Sequence, residues 1–307
     1  MVQHLKHHHI DSAFIYGFAV LSVLILSNIA KPLLKGHLGI IPKVIKKTIT
    51  TQAYFNKDVF TTVSIKGKGY VVYDVIGREI IASKNGTTTL PLASITKIMM
   101  AVTAYNHLDR HRKIVISEKS IDGSYDLGLK NGQTWSLDEL LKYTLVFSSN
   151  DGAQVIADSK GRDTFVGLMN SDARELGLNL QFTQPAGLDD GNKLGGVGTA
   201  YDVAKLFAVA HRMFPAVLDA TTKRRVNVTS SQGRITGIPN TNQEIHTIIG
   251  AEGSKTGYTD LAGGNLAVIT EISLGRPVVI VVLGSTKEER FSDVALLYKA
   301  LLKSIEK

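Results

Sequence analysis

Cysteine is absent from all 307 residues. Its absence excludes disulfides, thiolate metal sites and a cysteine nucleophile, and it suits an extracytoplasmic chain that avoids stray oxidation. Acidic residues are scarce at the start: up to residue 47, Asp11 stands alone against Lys6, Lys31, Lys35, Lys43, Lys46 and Lys47. Of the net charge of +8, only +3 is left for everything that follows. A body so near neutrality is not a basic nucleic-acid binder. Metal-ligand clusters are missing too, since the nine histidines are scattered apart from an early "HHH" that reads as tail. "GGVG" at 195–198 lacks the lysine and the strand-to-helix setting of a nucleotide loop, so no metal or other cofactor is expected. No internal repeat and no low-complexity tract interrupts the chain.

What is present begins with one uncharged run of 19 residues, "SAFIYGFAVLSVLILSNIA", from Ser12 to Ala30. At about 1.5 Å per residue it nearly spans a hydrocarbon core of about 30 Å. The expectation is an N-terminal membrane anchor at 12–30 with a basic linker to residue 47. A cleaved signal peptide is the alternative, although Asn28 and Ala30 make a poor cleavage site. The lysines after the run, taken alone, put the body on the cytoplasmic side; only Lys6, the amino terminus and the early histidines oppose them. Residues 48–307 are long enough, in a chain that is 44% hydrophobic, to form one large domain or two small ones, and are expected to form one.

"GYVVYDVIGREIIASKNG" alternates around Asp74–Gly77 and predicts a β-hairpin. Ile98, Met99, Ala101, Val102 and Tyr105 have helical apolar spacing, and "SLDELLKYTLVF" opens with the capping-box pair Ser136 and Glu139. Further helical pattern covers 163–176 and 200–213. "GNLAVITEIS" and "RPVVIVVLGS" predict two strands, and "EERFSDVALLYKALLKSIE" a closing amphipathic helix. Strands at both ends with helices between predict one sheet built from distant segments around a helical insert, an α/β (α+β) class.

Three short motifs are each weak alone. Ser94 and Lys97 share a helix face at i and i+3, where a hydroxyl and an amine can meet, yet Ser-x-x-Lys recurs at Ser304 and Lys307 with no sign of function. Ser148 and Asn150 in "FSSNDGA" also read as one helix end and the cap of the next. Lys255, Thr256 and Gly257 in "GSKTGYTD" read as a solvated turn, although three nearby glycines also suit a ligand lying close against a strand edge. In this order and in these settings they compose the signature shared by penicillin-binding proteins and class A β-lactamases. Through "PLASITKIMMA", "LLKYTLVFSSNDGA", "FTQPAGLDDGN", "TAYDVAKL", "NTN" and "GSKTGYTDLAGGNLAV", the chain resembles the serine D-alanyl-D-alanine carboxypeptidases, the low-molecular-mass penicillin-binding proteins.

The resemblance implies a transpeptidase/β-lactamase-like fold, an antiparallel sheet flanked by helices with a helical subdomain. It also implies acyl transfer on peptidoglycan stem peptides: Ser94 attacks the carbonyl between two D-alanines, D-alanine leaves, and water hydrolyses the ester. β-Lactam antibiotics would act as inhibitors. A serine hydroxyl needs a base; no histidine falls in a motif, and Lys97 is the base beside Ser94. Burial and a second cation, which the resemblance puts at Lys255, would favour its neutral form. Carried over, Ser148 would pass a proton to the departing amine and hydrogen-bond to Lys97, while Asn150 would orient Lys97 and hold the substrate amide. Lys255 and Thr256 would bind the terminal carboxylate. The backbone N–H groups of Ser94 and Tyr258 would form the oxyanion hole, with Gly257 leaving the strand bare against the carbonyl.

Gly152 and Asn265 stand where relatives often have alanine and cysteine, and both exchanges are expected to be neutral. An endopeptidase acting on cross-links would use the same residues. A class A β-lactamase would need a Glu-x-x-Leu-Asn loop, of which "RELGLNLQ" is a loose echo with Glu175 wrongly spaced. A catalytically inactive wall-binding module would not need Ser94, Lys97 and Lys255 intact. A peptidoglycan substrate puts the body outside the cytoplasmic membrane, against the linker charge.

Overall fold

The computed structural model describes residues 55–121 and 129–305. The anchor and linker expected before residue 48 lie outside the described residues, and no described helix is long and apolar enough to cross a membrane.

β1 (Gly69–Asp74) and β2 (Glu79–Lys84) form the expected hairpin. Asp74 Oδ1 closes its turn by accepting from the amides of Ile76 and Gly77 at 3.0 and 3.1 Å, the local bonding that makes aspartate a turn residue. A short β3 (Leu90–Pro91) then leads through one 3-10 turn, Ala93–Ile95, into α1 (Thr96–His107). The apolar stripe expected here is too narrow: every residue from 96 to 104 is buried. A helix enclosed all round belongs in the middle of a core.

β4 (Ile114–Val115) pairs with β5 (Thr134–Trp135), and α2 (Leu137–Phe147), α3 (Asn150–Asp158) and α4 (Arg162–Glu175) follow as the helical subdomain beside α1. Only half of the expected capping box forms. Ser136 Oγ accepts from the Glu139 amide at 3.3 Å, but the Glu139 carboxylate turns to Lys142 (2.6 Å) and to the Thr229 amide (2.8 Å). A cation and a strand amide outcompete the neutral amide of its own helix start.

β6 (Leu180–Phe182) and β7 (Gly196–Gly198) complete a small sheet with β3. After α5 (Ala200–Met213), α6 (Pro215–Ala220) and the hairpin β8 (Arg225–Ser230) with β9 (Gly233–Pro239), the chain builds β10 (Ala251–Thr259), β11 (Gly263–Glu271), β12 (Pro277–Ser285) and α7 (Glu289–Ile305).

The main sheet runs β10-β11-β12-β1-β2 and is antiparallel throughout. Strand alternation sends Val71, Tyr73, Ala267, Ile269, Val279 and Val281 into the core that holds α1 and α5. The alternate set, with Val72, Val268, Ile280 and Val282 among them, packs beneath Leu297 and Leu301 of α7. Because helices cover both faces, the central strands are apolar at nearly every position instead of every second one. β10 stays at one edge and packs against the 3-10 turn that starts α1.

Candidate active site

Ser94 lies inside that 3-10 turn, directly after Ala93, whose φ of +47° puts a residue with a Cβ in the left-handed region. Such a conformation costs about 1–2 kcal/mol and persists only where packing imposes it. Here Gly187 presses from one side, since a Cβ on it would lie 2.0 Å from the Ala93 carbonyl oxygen. The Leu92 amide is held by the Gly196 carbonyl at 2.9 Å.

One turn on, Lys97 is fully buried, and its Nζ donates to Ser94 Oγ (2.8 Å), Asn150 Oδ1 (2.8 Å) and the Ala186 carbonyl (2.7 Å). Two of these partners are carbonyl oxygens that can only accept. The hydroxyl is the partner able to reverse the bond and give its proton to a neutral amine.

"FSSNDGA" is one helix end and the cap of the next. Ser148 ends α2 in the left-handed region (φ 63°, ψ 33°), and Ser149 caps α3 by accepting from the Gly152 amide at 2.7 Å. The reversal brings Asn150 to Lys97 and Ser148 to Lys255, whose Nζ donates to Ser148 Oγ at 2.8 Å. Ser148, expected to meet Lys97, thus accepts from Lys255 across the cleft.

Lys255 is itself buried, and burial pushes its amine well below the usual lysine range, helped by the charges of Lys97 and Arg290. Thr256 Oγ1 donates to Thr241 Oγ1 at 2.6 Å. At Gly257 a Cβ would sit 2.9 Å from the Leu92 carbonyl oxygen and 3.2 Å from the Ser94 nitrogen. Tyr258 follows on the same strand with its ring exposed and its hydroxyl on Asp260 at 3.1 Å. All eight residues expected from the sequence thus belong to one neighbourhood.

Two residues expected to be neutral exchanges are constrained. A Cβ on Gly152 would lie 2.3 Å from Thr144 Oγ1 of α2 and 2.9 Å from Oγ of the cap residue Ser149. Asn265 is fully buried and hydrogen-bonded at both ends of its amide. The sequence reading missed Arg290 altogether. From the first turn of α7 its guanidinium donates to the Gly257 carbonyl at 2.7 Å, behind the edge strand. An arginine amid the acids of "KEERF" is the trace it leaves in the sequence.

Comparison with known proteins decides the family, for residues 55–287 match the D-alanyl-D-alanine carboxypeptidase family. The chain belongs to that family. It is 32% identical over 232 residues to a D-alanyl-D-alanine endopeptidase of Pseudomonas aeruginosa, covering 73% of each. A D-alanyl-D-alanine carboxypeptidase of Mycobacterium tuberculosis is 28% identical over 222 residues, 71% of this chain and 75% of that one. Among solved structures, a penicillin-binding protein of Listeria monocytogenes in its cefotaxime-bound form superposes with a TM-score of 0.67 at 29% identity, over 78% of this chain and 98% of that one. The fold is therefore that of the penicillin-binding peptidases, and the chain is a serine peptidase of the carboxypeptidase family.

Proposed function

We propose that Ser94 is the nucleophile of a D-alanyl-D-alanine carboxypeptidase that trims peptidoglycan stem peptides, with Lys97 as its base. The observation that carries this reading is the Lys97 amine, set at 2.8 Å from the Ser94 hydroxyl with acceptors on its other side. As Ser94 Oγ bonds to the carbonyl carbon between the two D-alanines, its proton passes to Lys97 Nζ. The amides of Ser94 and Tyr258 take the charge that develops on the oxygen. When the C–N bond breaks, the proton held on Lys97 passes by way of Ser148 to the amine of D-alanine, and water then hydrolyses the ester and restores the Ser94 hydroxyl.

Lys255 and Thr256 hold the terminal carboxylate of the substrate. The peptide lies along β10, the edge strand, whose outer side pairs with no described strand. Such a substrate requires the domain to lie outside the cytoplasmic membrane, anchored through the uncharged run at 12–30.

The test is the intact mass of the full chain through a time course with benzylpenicillin, beside Ser94→Ala. A lasting adduct on the wild type alone is expected. An equal adduct on Ser94→Ala removes the assignment, and rapid turnover of the drug makes the protein a β-lactamase. The endopeptidase relative favours a second reading, cleavage of cross-links. Release of D-alanine from a stem pentapeptide, compared with cleavage of a cross-linked dimer, separates the two.

A further inference from the structure

Asn265 of β11 stands directly opposite Gly257 of β10. Cross-strand partners project to the same face of a sheet, so the asparagine reaches along the surface that the glycine leaves bare. Its Nδ2 donates to the Pro91 carbonyl at 2.9 Å, and its Oδ1 accepts from the Gly284 amide at 2.7 Å. The second bond falls where the β11/β12 register shifts between Gly264 and Leu266 and where Gly284 has a φ of +71°. There the side chain supplies an acceptor that the interrupted ladder does not.

The first bond leaves the sheet. It grips the segment that becomes Leu92, Ala93 and Ser94 within three residues, and β7 grips that segment from the other side through the Gly196 carbonyl. Asn265 therefore touches both halves of one construction. Its backbone pairs with Gly257, the neighbour of Tyr258, and its side chain holds Pro91 at the end of β3, three residues before Ser94.

We propose that Asn265 is a positioning residue that fixes the distance between the Ser94 and Tyr258 amides; this rests on their assignment to the oxyanion hole above. Two donors on separate elements stabilise one oxygen only when both stand about 2.7–3.1 Å from it. Asn265 sets that spacing without touching the substrate.

The experiment compares Asn265→Ala, Asn265→Asp and Leu301→Ala in the full chain. Asn265→Asp keeps the acceptor for Gly284 but turns an oxygen toward the Pro91 carbonyl. Leu301→Ala opens a cavity under α7, far from Ser94 in sequence, and serves as the control for lost stability. Active sites are titrated with benzylpenicillin, and the acylation rate is expressed per titrated site. Both Asn265 variants are expected to acylate at least about tenfold more slowly per site, with the KM for a D-alanyl-D-alanine peptide nearly unchanged. Leu301→Ala is expected to keep the wild-type rate per site. In parallel, hydrogen exchange of the amides at 92–95 is expected to quicken in the Asn265 variants alone.

Wild-type rates per site in both Asn265 variants overturn the proposal. So does a loss that Leu301→Ala shares. If the wild type itself takes no penicillin at Ser94, the assignment of the active site fails instead, and the exchange data alone decide whether Asn265 holds the turn.

Discussion

Lys255 Nζ lies 2.8 Å from Ser148 Oγ, a bond between residues 107 apart that joins the edge strand to the reversal between α2 and α3. Burial first, then Lys97, then Arg290, hold this amine well below its ordinary 10.5. The unfolded chain therefore binds the proton more tightly than the folded one, so this group makes stability rise with pH, from its folded value up to 10.5. Lys255→Met removes the contribution. The melting temperature of the wild type minus that of Lys255→Met is expected to climb from about pH 7 to about pH 10. A difference that stays flat in calorimetry, or falls, contradicts the sign.

Gly257→Ala puts a methyl 2.9 Å from the Leu92 carbonyl oxygen and 3.2 Å from the Ser94 nitrogen. Neither neighbour is a flexible side-chain end, so the edge strand has to move away from the serine. Acylation by a fluorescent penicillin is expected to slow by about 100-fold, the scale of losing one oxyanion donor. Retained rates would show that the two amides do not act together.

Gly152→Ala drives a methyl against Thr144 Oγ1, which donates to the Leu140 carbonyl at 2.7 Å. Overpacking of this kind costs about 1–3 kcal/mol. Thr144→Ala removes the nearer obstacle and leaves Ser149 Oγ at 2.9 Å, so the double variant is expected to recover about 1 kcal/mol relative to the sum of the two single changes. Urea unfolding of the four proteins measures the coupling, and simple additivity contradicts the packing argument.

Thr241→Val deprives the Thr256 hydroxyl of its partner at 2.6 Å. One neutral hydrogen bond is worth about 1 kcal/mol, or roughly fivefold in an equilibrium constant. Steady-state kinetics on a D-alanyl-D-alanine peptide are expected to show KM raised about fivefold with kcat nearly unchanged. A fall confined to kcat would place Thr241 with the proton-transfer groups instead.

The chain order of the motifs announced the site because each motif is local: a serine and lysine one turn apart, a cap, a strand edge. Periodicity likewise announced the hairpin β1/β2 and the late strands, whose alternation or apolar runs extend over six to nine residues. β3, β4 and β5, at two residues each, are too short to carry any period. Arg290 escaped because its meaning depends on α7 returning to the back of Gly257, a contact spanning 33 residues. Asn265 looked exchangeable for the same reason, since its partners Pro91 and Gly284 lie 174 and 19 residues away. Gly152 looked exchangeable because only the docking of two helices shows what a methyl would strike.

The enclosure of α1 decides how this enzyme fails. A helix buried from 96 to 104 on every side is among the last parts of a molecule to open, and its amides are expected to exchange through global unfolding. Lys97, the proposed base, rides on that helix and Ser94, the proposed nucleophile, stands in the turn that leads into it, so the pair melts with the rest. Heat should silence the enzyme and dissolve its scaffold in one event, leaving no crippled survivor between the working form and the dead one.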